Sequence, residues 1–343
     1  MNTVVKTIFG LLLIAITVNS SAQDKKNFKE GIMKNLKAGT NDVTFKSQGV
    51  KLAGLLFTPE GFDSAEKYPA VVFSGPFNQV KEQMGAVYGK KMAELGYVFL
   101  SYDPYSFGDS EGQPRNNEHA HHKMESIRDA VSYLGTLDFV DRKQIYGIGG
   151  CASGGYMPLV AVTDKRLAAI ATVSGMMDNQ ASYFGVMTKE QLMPLFEMAN
   201  AARQKAYETG EYETYDALNM EGVDLKTLDK SSAMYEGYDY YMTSRAGKET
   251  YPNYTHMAPK TLMENAPMTS ATFYAPYLYT PYLGIVGEKA DTGVLTEIFY
   301  EKCSEPKEFY KIEGATHVSL YDIDKDVDRA VERIDKFFRK YTK

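Results

Sequence analysis

The sequence predicts an α/β protein, with a mostly parallel central sheet and helices on both of its faces. Short apolar stretches with many β-branched residues, such as residues 68–74 (YPAVVFS), recur along the chain. Stretches with apolar residues at helical spacing, such as residues 81–95, separate them. Strands that alternate with helices in this way form parallel sheets whose two faces are covered by the helices.

The individual elements follow one another in the order that such a sheet requires. An antiparallel hairpin around Gln48-Gly49 comes first, and the last helix begins at about Asp324 with an acidic first turn. We predict strands at residues 43–47, 52–58, 68–74, 97–102, 145–148, 167–173, 282–286 and 308–312, and helices at residues 24–36, 81–95, 126–137, 152 onward, 189–208, 212–218, 292–302 and 324 onward.

A long insertion follows the sixth strand of the predicted sheet. Residues 176–280 contain helical stretches and many tyrosines and methionines, but no clear strand. We predict that they form a mainly helical cap over the ligand site, which in open α/β sheets lies at the carboxyl ends of the strands. The core is then made of residues 23–175 and 281–343.

The N-terminus has the pattern of a secretory signal peptide. Lys6 precedes the mainly apolar residues 8–18, and Ser20-Ser21-Ala22 forms a small-residue cleavage site. We therefore predict that residues 1–22 are removed and that the protein is periplasmic or secreted. No later apolar run is long enough to span a membrane.

The charge pattern argues against nucleic-acid binding, and the cysteine content argues against a fold held by disulfides. The formal net charge is −6, and Lys and Arg are scattered rather than arranged in a basic stripe, which argues against a nucleic-acid partner. Cys151 and Cys303 are the only cysteines. Two cysteines do not make a disulfide framework, and we predict that both are free.

The most informative stretch is residues 144–156 (QIYGIGGCASGGY). A buried strand ends at Gly149-Gly150 and a helix of small residues begins at Ala152, so the residue between them projects from a sharp turn. This is the pattern of a nucleophile elbow, G-x-S-x-G, with cysteine at the nucleophile position. A thiol at a helix N-terminus is expected to have a lowered pKa, which favours Cys151 as a covalent nucleophile.

Three alternatives compete with this interpretation. Ser153 is a second candidate nucleophile, but it falls in the first helical turn rather than at the strand end, so Cys151 is favoured. The glycines also match G-x-G-x-x-A, a dinucleotide pattern, although the following strand ends at Ser174 without the expected acid. The third alternative is an inert buried cysteine.

His317 is the candidate base, because proteins with such an elbow place the acid and then the histidine after the nucleophile. It follows the last predicted strand. Asp291, after the preceding strand, is the candidate orienting acid, and Glu288 is the second choice. The alternative role for Asp291 is a cap on the helix that begins at Thr292.

The oxyanion of the reaction needs two N–H donors. The N–H of Ala152 is the first, and that of Phe77 is the second, because the neighbouring Pro76 has no N–H. We expect no cofactor and no metal, since the histidine-rich segment lies in a loop without further ligands at suitable spacing and is interpreted as solvated: His119, His121 and His122. The tyrosine-rich residues 235–245 either line the substrate pocket or pack the insertion.

These motifs resemble the dienelactone hydrolase-like branch of the α/β-hydrolase superfamily. The run VDRKQIYGIGGCASGG (140–155) resembles its V-D-x-x-R-I-G-L-x-G-x-C-x-G-G elbow. Three further segments resemble a bacterial branch with G-I-C-x-S-G-G: GPFNQVKEQ (75–83), SYDPYSFGDSEGQPR (101–115) and GATHVSLYD (314–322).

The resemblance implies an α/β-hydrolase fold, no metal, and a triad of Cys151, His317 and Asp291 that hydrolyses an ester, lactone or thioester. Dienelactone hydrolases proper have glycine in place of Ser153 and lack the large insertion, so the substrate does not carry over. We therefore expect an exported hydrolase of a small-molecule acyl substrate. The alternatives are a serine esterase or peptidase that uses Ser153, and a catalytically inactive binding protein with the same fold.

Overall fold

A computed structural model of the protein describes residues 36–229 and 232–342. The predicted signal peptide and nearly all of the helix predicted at residues 24–36 lie outside these ranges. Within them, no helix is both long enough and apolar enough to cross a membrane.

An eight-stranded sheet forms the centre of the fold, in the order β1-β2-β4-β3-β5-β6-β9-β10. Only β2 runs opposite to its neighbours, so the sheet is mostly parallel, as predicted. The strands are β1 Gly39–Ser47, β2 Val50–Thr58, β3 Tyr68–Ser74, β4 Val98–Tyr102, β5 Val140–Gly150, β6 Leu167–Val173, β7 Thr214–Asp216, β8 Met257–Pro259, β9 Tyr282–Gly287 and β10 Lys307–Ile312.

Helices follow most strands of the sheet, and six of the ten α-helices in the described residues lie at predicted positions. Their bounds are α1 Met84–Glu94, α2 Ala120–Leu134, α3 Ala152–Thr163, α4 Asn179–Phe184, α5 Lys189–Thr209, α6 Ala233–Met242, α7 Ala271–Tyr274, α8 Gly293–Lys302, α9 Ser319–Asp322 and α10 Asp324–Phe338. One boundary changes an interpretation. Helix α2 begins six residues before the predicted start, so His121 and His122 lie in its first turn and not in a loop.

Side chains of β5 show how the helices cover both faces of the sheet. Tyr146 stacks on Phe338 of α10, with ring centroids 4.5 Å apart. A Cβ on Gly147 would instead lie 2.5 Å from the sulfur of Met157 in α3. Because successive strand residues point to opposite faces, α10 and α3 cover opposite sides of the sheet. The fully buried strands between them read as continuous apolar runs for this reason.

The insertion contains a short two-stranded sheet that the sequence did not predict. Strand β7 pairs antiparallel with β8, and Tyr215 lies opposite Ala258. The helix predicted at residues 212–218 is therefore wrong. Hydrogen bonds from a segment more than 40 residues away determine this pairing, and short helices are marginal without such support.

A buried ion pair joins the loops that follow β3 and β4 at the carboxyl edge of the sheet. Lys81 is 5% exposed, and its ammonium lies 3.0 Å from Asp103 and 2.5 Å from Asp109. Breaking such a buried pair typically costs about 3–5 kcal/mol. The pair therefore fixes the loop that carries Phe77.

Candidate active site

Cys151 lies at the sharp turn between β5 and α3, where the elbow was predicted. Its backbone is left-handed, with φ 47° and ψ −112°, a conformation that non-glycine residues adopt at a cost and that is common at functional sites. A Cβ on Gly149 would lie 2.3 Å from the carbonyl oxygen of Ser153. The glycine is therefore required for the strand and the helix to meet so closely.

Two backbone N–H groups, those of Ala152 and Phe77, face the sulfur of Cys151 and favour its thiolate form. Both are the donors that the sequence analysis selected for the oxyanion. Burial nevertheless raises the pKa of the Cys151 thiol, although the two N–H groups oppose this effect. The thiol pKa is therefore raised and not lowered as expected, because the effect of burial is larger than the stabilisation of the thiolate by the helix N-terminus.

His317 follows β10 and is half-buried beside the elbow. The Ser174 hydroxyl donates to its carbonyl oxygen at 2.9 Å. Its Nε2 lies 2.9 Å from the hydroxyl of Tyr321, and its Nδ1 lies 2.5 Å from that of Thr292. Burial lowers the pKa of the imidazole to about 4, so the ring is neutral at neutral pH and can accept a proton.

The predicted partner of the imidazole does not contact it in this structure. Thr292, the residue after Asp291, occupies Nδ1 of His317. Asp291 is exposed and lines the cavity described below. Glu288, the second choice, accepts a hydrogen bond from the Gly314 N–H at 2.9 Å and so holds the loop before the histidine.

Ser153 points away from the substrate side of the elbow. It is fully buried, and its hydroxyl donates to the carbonyl of Gly75 at 2.6 Å. The Ser74 hydroxyl lies 2.9 Å from the Ser153 hydroxyl. These contacts hold the start of the loop that presents the Phe77 N–H.

A cavity of about 900 Å³ opens over Cys151 and His317. Its walls come from both the core and the insertion, and they are mostly apolar and aromatic. The insertion contributes Tyr183, Met187, Tyr215, Leu218, Tyr235 and Leu262. A mainly apolar pocket with a few polar groups is typical of small-molecule sites.

The tyrosine-rich segment serves both of the roles that the sequence left open. Tyr235 of α6 lines the cavity. Tyr240 is buried and packs edge-on against Tyr321, with ring centroids 5.1 Å apart. Four residues earlier, Glu236 accepts hydrogen bonds from the Thr316 hydroxyl and from the Val318 N–H. The insertion thus holds both residues that flank His317.

Sequence reasoning missed Tyr321, Thr292 and Glu236. One signal was available for Tyr321, because it stands four residues after His317, a spacing that often places two side chains on one face of a helical turn. Nothing local indicated Glu236, which reaches the histidine loop from 80 residues away along the chain.

Comparison with known proteins assigns the chain to a family. Residues 48–256, which include the elbow and most of the insertion, match the X-Pro dipeptidyl-peptidase (S15) family. The chain belongs to this family. A solved structure of the hypothetical protein PA2218 from Pseudomonas aeruginosa is 30% identical, with a TM-score of 0.79 over 90% of this chain and 95% of that one.

Two further similarities bear on fold and activity. The structure of the α/β hydrolase GrgF from Penicillium is 24% identical, with a TM-score of 0.73 over 88% of this chain and 98% of that one; this similarity shows the fold. The thiohydrolase aneE of Aspergillus aculeatus is 25% identical over 282 residues, which cover 79% of this chain and 84% of that protein. The chain is therefore a hydrolase with the α/β-hydrolase fold.

Proposed function

We propose that the protein is an exported thiol hydrolase of the dienelactone hydrolase-like type. It cleaves an ester, lactone or thioester through an acyl-enzyme on Cys151. The observation that carries this proposal is the convergence of the Ala152 and Phe77 N–H groups on the sulfur of a strained elbow cysteine. Those donors are positioned to stabilise negative charge on a carbonyl oxygen bound beside the sulfur.

The proposed reaction begins with loss of the thiol proton to Nε2 of His317. The sulfur then attacks the substrate carbonyl carbon, and the two N–H groups stabilise the resulting oxyanion. The imidazolium returns the proton to the leaving oxygen or sulfur as its bond to carbon breaks. Water then gives a proton to the imidazole and attacks the acyl carbon. The acid leaves as the bond from carbon to the Cys151 sulfur breaks, and the imidazolium returns its proton to the sulfur.

The neutral resting state is consistent with this order of events. A raised thiol pKa and a lowered imidazole pKa both disfavour a thiolate–imidazolium pair before substrate arrives. The negative charge that forms on the sulfur passes to the substrate oxygen during the attack, where the N–H donors stabilise it in the transition state, as catalysis requires. Thioesters and activated esters suit such a thiol better than unactivated amides do. From the tetrahedral intermediate of an amide, the Cys151 thiolate leaves more readily than the amine, so the intermediate reverts to the substrate.

The role of Asp291 stays a prediction. It stands next to Thr292 at the wall of the cavity, so a change of side-chain conformation is the smallest rearrangement that would bring a carboxylate towards Nδ1. Thr292 supplies a neutral contact to the same nitrogen in its place.

Three alanine variants test the nucleophile: Cys151→Ala, Ser153→Ala and His317→Ala, with Cys303→Ala as the matched control. Cys303 is the other free cysteine, and it is buried at the end of α8. We expect Cys151→Ala and His317→Ala to lose hydrolysis of a p-nitrophenyl ester, and Cys303→Ala to retain it. Iodoacetamide should inactivate the wild type, and full activity of Cys151→Ala would exclude the proposal.

A second candidate function is a peptidase that uses Ser153. The observation that favours it is the match to a family named for X-Pro dipeptidyl-peptidases. The burial of Ser153 and its bond to Gly75 argue against it. Hydrolysis of an X-Pro p-nitroanilide distinguishes the two functions. Activity that persists after iodoacetamide treatment of the wild type but is lost in Ser153→Ala would favour the peptidase.

Export through residues 1–22 is part of the proposal and has its own test. The full chain, expressed in a Gram-negative host, should appear in the periplasm or medium with its N-terminus at Gln23. A chain that stays in the cytoplasm with Met1 intact would remove export from the proposal and leave the chemistry unaffected.

A further inference from the structure

Tyr321 connects the two groups between which the proposed mechanism moves a proton. Its hydroxyl lies 2.9 Å from Nε2 of His317, and it is close enough to the Cys151 thiol to lower the pKa of that group against the larger effect of burial. The imidazole nitrogen that faces the elbow is thus already occupied by the phenol.

We propose that Tyr321 relays the proton between the Cys151 thiol and His317. The inference rests on the proposed thiol mechanism and adds a third residue to it. The thiol proton moves to the phenolic oxygen while the phenolic proton moves to Nε2. The products are a thiolate, a neutral phenol and an imidazolium, so the phenol is regenerated and no electron is gained or lost.

The hydrogen bonds around His317 give the relay a consistent direction. When the Tyr321 hydroxyl donates to Nε2, the proton of the neutral imidazole lies on Nδ1 and is donated to the Thr292 hydroxyl. The Tyr321 oxygen is then free to accept the thiol proton. The proposed relay then runs from the sulfur to the phenol, and two hydrogen bonds continue it through the imidazole to Thr292.

Packing holds the phenol in the position that the relay requires. Tyr321 is 1% exposed, and its ring meets that of Tyr240 at 80° with centroids 5.1 Å apart. The next residue, Asp322, forms a two-pronged ion pair with Arg245, at 2.9 and 2.6 Å. Because Arg245 belongs to the insertion, the phenol is fixed from both parts of the fold.

The relay explains how a buried thiol that is protonated at rest becomes a nucleophile. Burial also raises the pKa of the Tyr321 phenol well above its usual value. A phenolate is therefore strongly disfavoured, and the two protons must move together rather than in separate steps.

The test measures the rate of alkylation of Cys151 by iodoacetamide as a function of pH, with the modified peptide identified by mass spectrometry. Tyr321→Phe removes only the hydroxyl and keeps the ring. Tyr240→Phe is the matched control. The ring of this buried tyrosine packs against Tyr321, but its hydroxyl accepts a hydrogen bond from the Gln79 side chain and is not part of the relay. His317→Ala and the double variant Tyr321→Phe/His317→Ala complete the set.

We expect Tyr321→Phe to shift the pH midpoint of alkylation upward and to slow alkylation at neutral pH, by about tenfold for each unit of the shift. His317→Ala should have a similar effect, and the double variant should be no slower than the slower single variant, because both changes break one chain. Tyr240→Phe should follow the wild type.

Two results of the alkylation assay would overturn the relay: a wild-type rate of alkylation in Tyr321→Phe, or losses in rate that multiply in the double variant. A second measurement uses the unaltered protein. The rate of single-turnover ester cleavage is measured in mixtures of light and heavy water. If two protons move together, this rate should depend on the deuterium fraction along a curve, whereas a straight line would contradict the relay.

The alkylation assay does not depend on ester hydrolysis. If Cys151→Ala retained full activity, the proposed function would fail while alkylation still reported on the relay. If Tyr321→Phe behaved as wild type while Cys151→Ala was inactive, only the relay would fail.

Discussion

Ser153→Ala separates a structural serine from a catalytic one. The Ser153 hydroxyl donates to the Gly75 carbonyl at 2.6 Å and lies 2.9 Å from the Ser74 hydroxyl. Removing it leaves a partly buried carbonyl without this donor, which costs about 1–3 kcal/mol. We therefore expect the free energy of unfolding to fall by about that amount, measured by urea unfolding with an unchanged m-value.

The same substitution has a limited effect on activity if Cys151 is the nucleophile. The Gly75 carbonyl lies two residues before Phe77, whose N–H is one of the two proposed oxyanion donors. Complete loss of one such donor costs about 10²–10³ in kcat. Because Ser153→Ala only loosens the loop that carries the donor, we expect a fall of about tenfold or less, well below that full loss.

Ser74→Ala is the matched control for this prediction. It removes the contact between the two hydroxyls but leaves the bond from Ser153 to Gly75 in place. Its unfolding free energy should fall by less than that of Ser153→Ala, and its kcat should stay close to that of the wild type. A Ser153→Ala variant that unfolds like the wild type yet is as inactive as Cys151→Ala would show that Ser153 is catalytic and not structural.

Three further predictions concern His317 and its neighbours. Since the neutral imidazole is the base, and burial lowers its pKa to about 4, the acid limb of the pH profile of kcat/KM should lie near pH 4. A limb near 6.5, the ordinary value for histidine, would contradict this. Glu236→Gln should lower kcat, because Glu236 holds the loop that carries His317. Glu249→Gln, a change at an exposed residue of the insertion, should leave kcat unchanged. Equal kcat values for the two variants would contradict a role of the Glu236 contacts in catalysis. Asp291→Asn should lower kcat more than Thr292→Val if the carboxylate orients the imidazole during turnover, and the reverse order would assign that role to Thr292.

Much of the fold could be predicted because its signals are local. Short apolar runs located every strand of the large sheet, helical spacing of apolar residues located helices between them, and the return of this alternation at residue 282 identified the end of the insertion. The early start of α2 was missed in the core, and the one predicted helix that proved to be wrong falls in the insertion. The segment around Tyr215 forms a strand only because β8 pairs with it, and no local period records a partner more than 40 residues away.

The amino-acid sequence was sufficient to locate the candidate nucleophile and base, Cys151 and His317. Both follow from order along the chain: a strand that breaks at two glycines, and a histidine after the last strand. Such positions are properties of the backbone path, which the pattern of apolar residues and glycines specifies.

The contacts that neighbouring side chains make with these two residues became visible only in the folded protein. Thr292 rather than Asp291 contacts Nδ1, Tyr321 stands between the thiol and the imidazole, and the Ser153 hydroxyl binds Gly75. Tertiary structure also reversed the expected direction of the thiol pKa, from lowered to raised. Side-chain contacts and burial depend on distances between segments far apart in sequence, so no spacing along the chain encodes them.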